Sequence, residues 1–153
     1  MPKKDLPQLY VLSAVAANGD RQGKEPLVMD LQSASKAPGA PVIIWTNHAV
    51  GTILGTAPAN QEWFFAPSIN PADGSYGIVN ENSALGIQAP GSSLADNGQA
   101  TQAAPGAQGD NARWYLTDPK TGQHMSPVPG GAYNIVNKHS GKAARCSSLN
   151  GVV

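Results

Sequence analysis

Asp30, Trp45, Asn60 and His48 are the side chains whose types and spacing carry chemistry in this sequence. Asp30 sits at the end of the apolar run Leu27-Val28-Met29, Trp45 ends the run Val42-Ile43-Ile44, and Asn60 opens the segment Asn60-Gln61-Glu62-Trp63. A carboxylate accepts charge-assisted hydrogen bonds from hydroxyl groups. An indole offers a flat apolar wall, and a primary amide both donates and accepts. Brought together, these groups form a shallow polar hollow with one aromatic side, which suits a ligand that carries many hydroxyls and weakly apolar C–H patches: a neutral sugar. The plainer reading of Asp30 is a turn cap at a strand end.

Other reactive residues form no such set. His48, His124 and His139 lie far apart and share no metal-ligand spacing, so no metal site is expected. Cys146 follows Arg145, a neighbour that lowers a thiol pKa, but a small buried thiol is the better reading. No second carboxylate shares a motif with Asp30, whereas glycoside hydrolysis ordinarily needs a pair. Asp110 and Asp118 read as solvated turn residues. We therefore expect no catalytic residue, no cofactor and no enzymatic activity.

The elements that must position the hollow are short. The chain of 153 residues fits one domain over 1–153, with 41% hydrophobic residues for a core and only 13% charged. Ten basic and ten acidic residues cancel, which gives no electrostatic reason to expect nucleic acid or an anionic membrane as partner. A single cysteine excludes an intrachain disulfide, and the start Met-Pro-Lys-Lys-Asp-Leu-Pro has no signal-peptide character. These features fit a cytoplasmic protein, or one secreted without a recognisable signal peptide. Thirteen prolines and seventeen glycines leave little room for long helices. Short apolar runs between turn signals predict an all-β fold.

Strands are expected at 9–14, 28–31, 42–45 and 62–66, then at 74–80, 83–87, 100–102 and 113–116, and again at 131–137 and 140–144. Tyr76-x-Ile78-Val79-Asn80 is echoed by Tyr133-x-Ile135-Val136-Asn137, and Tyr10-Val11-Leu12 is a degenerate first copy. A period of roughly 50–65 residues with about four strands each is a repeat architecture. Three units without cores of their own, each giving two strands to a closed barrel and a hairpin to its cap, make a β-trefoil. The repeats run over about 8–70, 71–128 and 129–153.

At these residues the chain resembles the ricin B-type β-trefoil lectins. Gln61-Glu62-Trp63 is similar to that family's Gln-x-Trp, and Asn111-Ala112-Arg113-Trp114 is its second, altered copy. Tyr133 to Lys142 resembles the family's Tyr-x-Ile-x-Asn…Ser-Gly-Lys opening. The resemblance implies that Gln61, Trp63 and Trp114 are structural, each Trp packing in the core and the Gln bonding nearby backbone. It also implies that Asp30 accepts from two sugar hydroxyls, that Trp45 stacks on the ring and that Asn60 bonds another hydroxyl. The Trp45-to-Asn60 loop is longer than usual for the family, which brings in His48. By the same alignment Gly86 and Arg145 occupy the Asp position in repeats two and three, with Thr101 near the aromatic position of repeat two. One good site per chain is therefore expected, with weak intrinsic affinity and avidity from an oligomer. Gly86 to Trp114 spans 28 residues, so the third repeat, stopping at Val153, falls about twenty residues short of its own Trp. Two readings follow: the sequence is truncated, or the open edge invites strand complementation by a second chain.

The leading expectation is a non-catalytic lectin for galactose- or N-acetylgalactosamine-type glycans on glycoproteins. The alternative is a trefoil protease inhibitor acting through the loop Asn18–Pro26, with Arg21 or Lys24 presented to a trypsin-like enzyme. A third reading is a targeting module cut from a larger secreted enzyme.

Overall fold

A computed structural model describes residues 7–13, 27–48, 57–96, 98–107 and 109–144. The candidate inhibitor loop Asn18–Pro26, the loop glycines Gly51 and Gly55, and Arg145 and Cys146 lie outside the described residues. Among the described residues the strands are eight: Leu27–Leu31 (β1), Val42–Thr46 (β2), Trp63–Pro67 (β3), Tyr76–Asn80 (β4), Ile87–Gln88 (β5), Thr101–Gln102 (β6), Trp114–Thr117 (β7) and Asn134–Asn137 (β8). The helical pieces among the described residues are five three-residue 3₁₀ turns, so none is long and apolar enough to cross a membrane.

All strand pairs are antiparallel. β3, β4, β7 and β8 form one four-stranded sheet in that order, while β1–β2 and β5–β6 are separate hairpins. β-Branched and aromatic residues fill the longer strands, as a pleated half-buried surface requires. Inward-facing Met29, Leu31, Val42 and Ile44 from the first hairpin meet Trp63 and Ile78 from the sheet and Ile87, Ala100 and Trp114 from the second half of the chain. Tyr10, Phe65 and Tyr76 extend this core as two edge-to-face ring pairs with centroids 5.2 and 5.9 Å apart.

The repeat is written in hydrogen bonds. Trp63 Nε1 donates to Met29 O at 3.0 Å, and Trp114 Nε1 donates to Ile87 O at 3.0 Å. The Asn80 side chain donates to Asn60 O and Glu62 O; that of Asn137 donates to Asn111 O and Arg113 O. Tyr10 bridges Trp63 as Tyr76 bridges Trp114. Each Asn therefore closes a turn at the end of a barrel strand and ties it to the preceding unit.

Three expected strands shrink. The segment 9–14 makes only bridges, at Tyr10 and Ser13. Strand 83–87 is reduced to Ile87–Gln88, because Ser83-Ala84 turns under Asn80, with Ala84 at φ 57°. Segment 140–144 contributes one bridge, Val136 to Ala143. In the last two cases polar turn residues give the chain side-chain hydrogen-bond partners that compete with the ladder.

Candidate functional site

β1 and β2 pair with Val28 opposite Trp45 and Asp30 opposite Ile43. Because side chains alternate along a strand, Asp30 and Trp45 share one face of the hairpin, and Met29, Leu31, Val42 and Ile44 fill the other. Asp30 and Trp45 are diagonal neighbours, a spacing of roughly 7–8 Å between backbones. Trp45 keeps 45% of its surface exposed, whereas Asp30 is only 5% exposed. The hairpin thus offers an open aromatic wall beside a sunken carboxylate.

The 3₁₀ turn Ala59–Gln61 supplies the groups that hold that carboxylate. Asn60 Nδ2 lies 3.2 Å from each Asp30 oxygen, and Gln61 Nε2 donates to Asp30 Oδ2 at 2.7 Å. Gln61 is fully buried. Its Nε2 also donates to Thr46 O at 2.8 Å, and its Oε1 accepts the His48 backbone N–H at 3.0 Å. One amide therefore links β1, the end of β2 and the start of the loop that carries His48. Burial pushes the Asp30 carboxyl above its ordinary value; the hydrogen bonds from Gln61 and Asn60 and the charge of His48 oppose that rise. A carboxylate kept this dry, with lone pairs left over, is a strong acceptor for hydroxyl donors.

The structure brings Asp30, Asn60, Gln61 and the His48 backbone into contact and sets Trp45 on the same face. Trp63 is fully buried and Trp114 is 4% exposed, both committed to the core through the indole bonds described above. The grip of Gln61 on Asp30 goes beyond the backbone bonding that the Gln-x-Trp resemblance implies. The spacing of Asp30 and Gln61, 31 residues apart, carries no signal that would reveal it.

The second repeat requires a correction. Trp114 bonds Ile87 where Trp63 bonds Met29, so the residue in the place of Asp30 is Gln88, not Gly86. The same shift shows in the pairing: Gln88 lies opposite Thr101 as Asp30 lies opposite Ile43. The Asn60-to-Asp30 bond has its counterpart in Asn111 Nδ2 donating to Gln88 Oε1 at 3.3 Å. The counterpart of Trp45 is then Ala103, which is buried, and that of Gln61 is Ala112. The second pocket has neither charge nor aromatic wall.

The family described as ricin-type beta-trefoil lectin domain-like matches residues 59–150. The chain belongs to that family. Asn60, Gln61, Trp63, Asn111 and Trp114 fall inside the matched stretch; Asp30 and Trp45 precede it. Among solved structures, the chain is similar to the designed threefold-symmetric protein ThreeFoil, at 26% identity and a TM-score of 0.62, over 82% of this chain and 77% of that one. It is also similar to the Polyporus squamosus lectin, solved with a human-type influenza-binding epitope, Neu5Aca2-6Galb1-4GlcNAc, at 19% identity and a TM-score of 0.62 over 96% of this chain. A third likeness, at 21% identity and a TM-score of 0.62 over 91% of this chain, is to an exo-beta-1,3-galactanase from Clostridium thermocellum. This chain spans 43% of that lectin and 24% of that galactanase. A comparison with curated proteins finds no match. The fold is thus an all-β trefoil. The paired Trp and Asn bonds each record two copies of its repeating unit.

Proposed function

We propose that this domain is a non-catalytic carbohydrate-binding module whose working pocket is the first-repeat hollow of Asp30, Trp45, Asn60 and His48. The observation that carries the reading is the sunken Asp30 carboxylate, gripped by Asn60 and Gln61 beside a half-exposed Trp45 on the same hairpin face. In this reading two adjacent hydroxyls donate to Asp30, Asn60 Oδ1 accepts from one of them, and the sugar's apolar face lies on the indole. A galactose- or N-acetylgalactosamine-type ring fits, because its C–H groups gather on one face while neighbouring hydroxyls point toward the opposite rim. Glycoproteins are the natural partners, with one pocket per chain and avidity supplied by an oligomer.

Calorimetry with galactose and N-acetylgalactosamine tests this. Asp30→Ala removes a charged acceptor worth roughly 1.5–3 kcal/mol, so affinity should fall at least about tenfold. Unchanged affinity in Asp30→Ala would remove the first-repeat hollow from the account.

A further inference from the structure

We propose that the Asp30 hollow is an acid-release site, which holds its saccharide at neutral pH and lets it go on mild acidification, with His48 setting the pH at which release occurs. The inference rests on the saccharide reading of that hollow. Its basis is geometric. Asp30 is the one charged acceptor of the pocket, it is 5% exposed, and both its oxygens already accept N–H donors from Asn60 and Gln61.

The groups around Asp30 are few. β2 places Ile43 opposite it and Trp45 diagonally, neither of which titrates. The turn Ala59–Gln61 contributes the neutral amides of Asn60 and Gln61. The residues after β2 contribute His48, whose exposed side chain carries the one nearby charge that acts on Asp30. Glu62, which follows the turn, makes no recorded interaction with Asp30. Among the described residues, the proton equilibrium of the hollow is therefore that of Asp30, under the charge of His48.

When Asp30 takes up a proton, one carboxyl oxygen becomes a donor. It then faces the N–H groups of Asn60 and Gln61 and the hydroxyls of the sugar, all of which need an acceptor there. The protonated oxygen accepts less, and the remaining bonds to the ligand and to Asn60 and Gln61 lose their charge-assisted strength. Burial eases the uptake, because it disfavours the charged form, while the His48 cation resists it. The positive charge of His48 therefore keeps Asp30 ionised to lower pH than burial alone would allow.

The experiment is sugar calorimetry from pH 8 to pH 4, paired with ¹³C NMR titration of the Asp30 carboxyl in the sugar-free protein. Near-ultraviolet circular dichroism checks that the fold persists across the range. Affinity should stay level at the alkaline end, then fall about tenfold per pH unit below the Asp30 midpoint. That midpoint should lie above the ordinary carboxylate value of about 4. His48→Ala should move both the binding midpoint and the carboxyl midpoint to higher pH by the same amount, and His48→Lys should return them toward lower pH. Sugar binding that stays flat to pH 4, or midpoints indifferent to His48→Ala, overturns the proposal while leaving the saccharide reading intact. Absence of binding at pH 7.5 strikes that reading instead, and the proposal falls with it; the NMR titration then reports separately whether Asp30 and His48 are coupled.

Discussion

At the scale of single residues, the proposed hollow combines an exposed aromatic side chain with a fully buried amide. Trp45 stands half-exposed at the end of β2, and its removal opens no core cavity. Trp45→Ala should change stability by no more than about 0.5 kcal/mol while abolishing measurable sugar binding in calorimetry. Gln61 behaves in the opposite way. Fully buried, it satisfies Asp30, Thr46 O and the His48 N–H at once. Gln61→Ala takes that partner from Thr46 O and the His48 N–H and leaves Asp30 to Asn60 alone, at a cost of roughly 1–3 kcal/mol in urea unfolding. Affinity should fall as well, because Asp30 and the His48 loop lose their common tether. Full affinity in a folded Gln61→Ala protein would show that Asn60 alone positions the carboxylate.

At the scale of elements, strand ends and turns decide the geometry more than strand interiors do. Two equivalent turns close with an Asn: Ala84 N donates to Asn80 O, and Gly141 N donates to Asn137 O, both at 2.8 Å. Both residues adopt the left-handed region, Gly141 at φ 69° and Ala84 at φ 57°. The methyl of Ala84 makes that conformation costly, and a glycine there carries no such penalty. Ala84→Gly should therefore stabilise the domain by about 0.5–1 kcal/mol despite the added freedom of the unfolded chain. Thermal unfolding measures it, and a lower Tm would contradict the strain argument. Trp63→Phe probes the other repeated device. It leaves Met29 O without its indole donor in the core and should cost about 1–3 kcal/mol in urea unfolding.

At the scale of the whole molecule, a polar chain ties the second and third units together. Arg113 donates from Nε to Ser75 Oγ and from Nη2 to Ser75 O, Ser75 donates to Asp73, and Lys138 bridges Asp73 at 2.9 Å and Asp110 at 3.0 Å. Asp73, Asp110, Arg113 and Lys138, with Pro67, Ser68 and Ile69, line an open cleft of about 160 Å³. Lys138, helped by the Ser75 hydroxyl, holds the Asp73 carboxyl well below the usual carboxylate range, and Lys138 itself is pushed up to about 12. A depressed carboxylate stabilises the fold above its unfolded-state value of about 4 and loses that contribution as pH falls toward the folded-state value. Asp73→Asn should therefore lower Tm at pH 7, and the gap from the unaltered protein should close as the pH drops below about 4. An equal gap at pH 7 and pH 2.5 would assign the effect to the loss of the Ser75 bond rather than to charge. The acid release proposed for Asp30 has the opposite origin, since there burial raises the carboxyl.

Much of this domain was legible in the sequence because the signals are local. Apolar runs between glycines and prolines mark β1, β2, β3, β4 and β7 to within a residue or two at most ends, and the Tyr-x-Ile-Val-Asn echo marks the repeat. What the tertiary structure alone decided depends on contacts between residues far apart in the chain. The register of β5 moves the second-repeat position from Gly86 to Gln88, because a turn built on Asn80 and Ala84 uses up residues that read as strand. The grip of Gln61 on Asp30 spans 31 residues, and that of Arg113 on Ser75 spans 38. A hydrogen bond of that kind is set by where two elements meet, not by the propensity of either one.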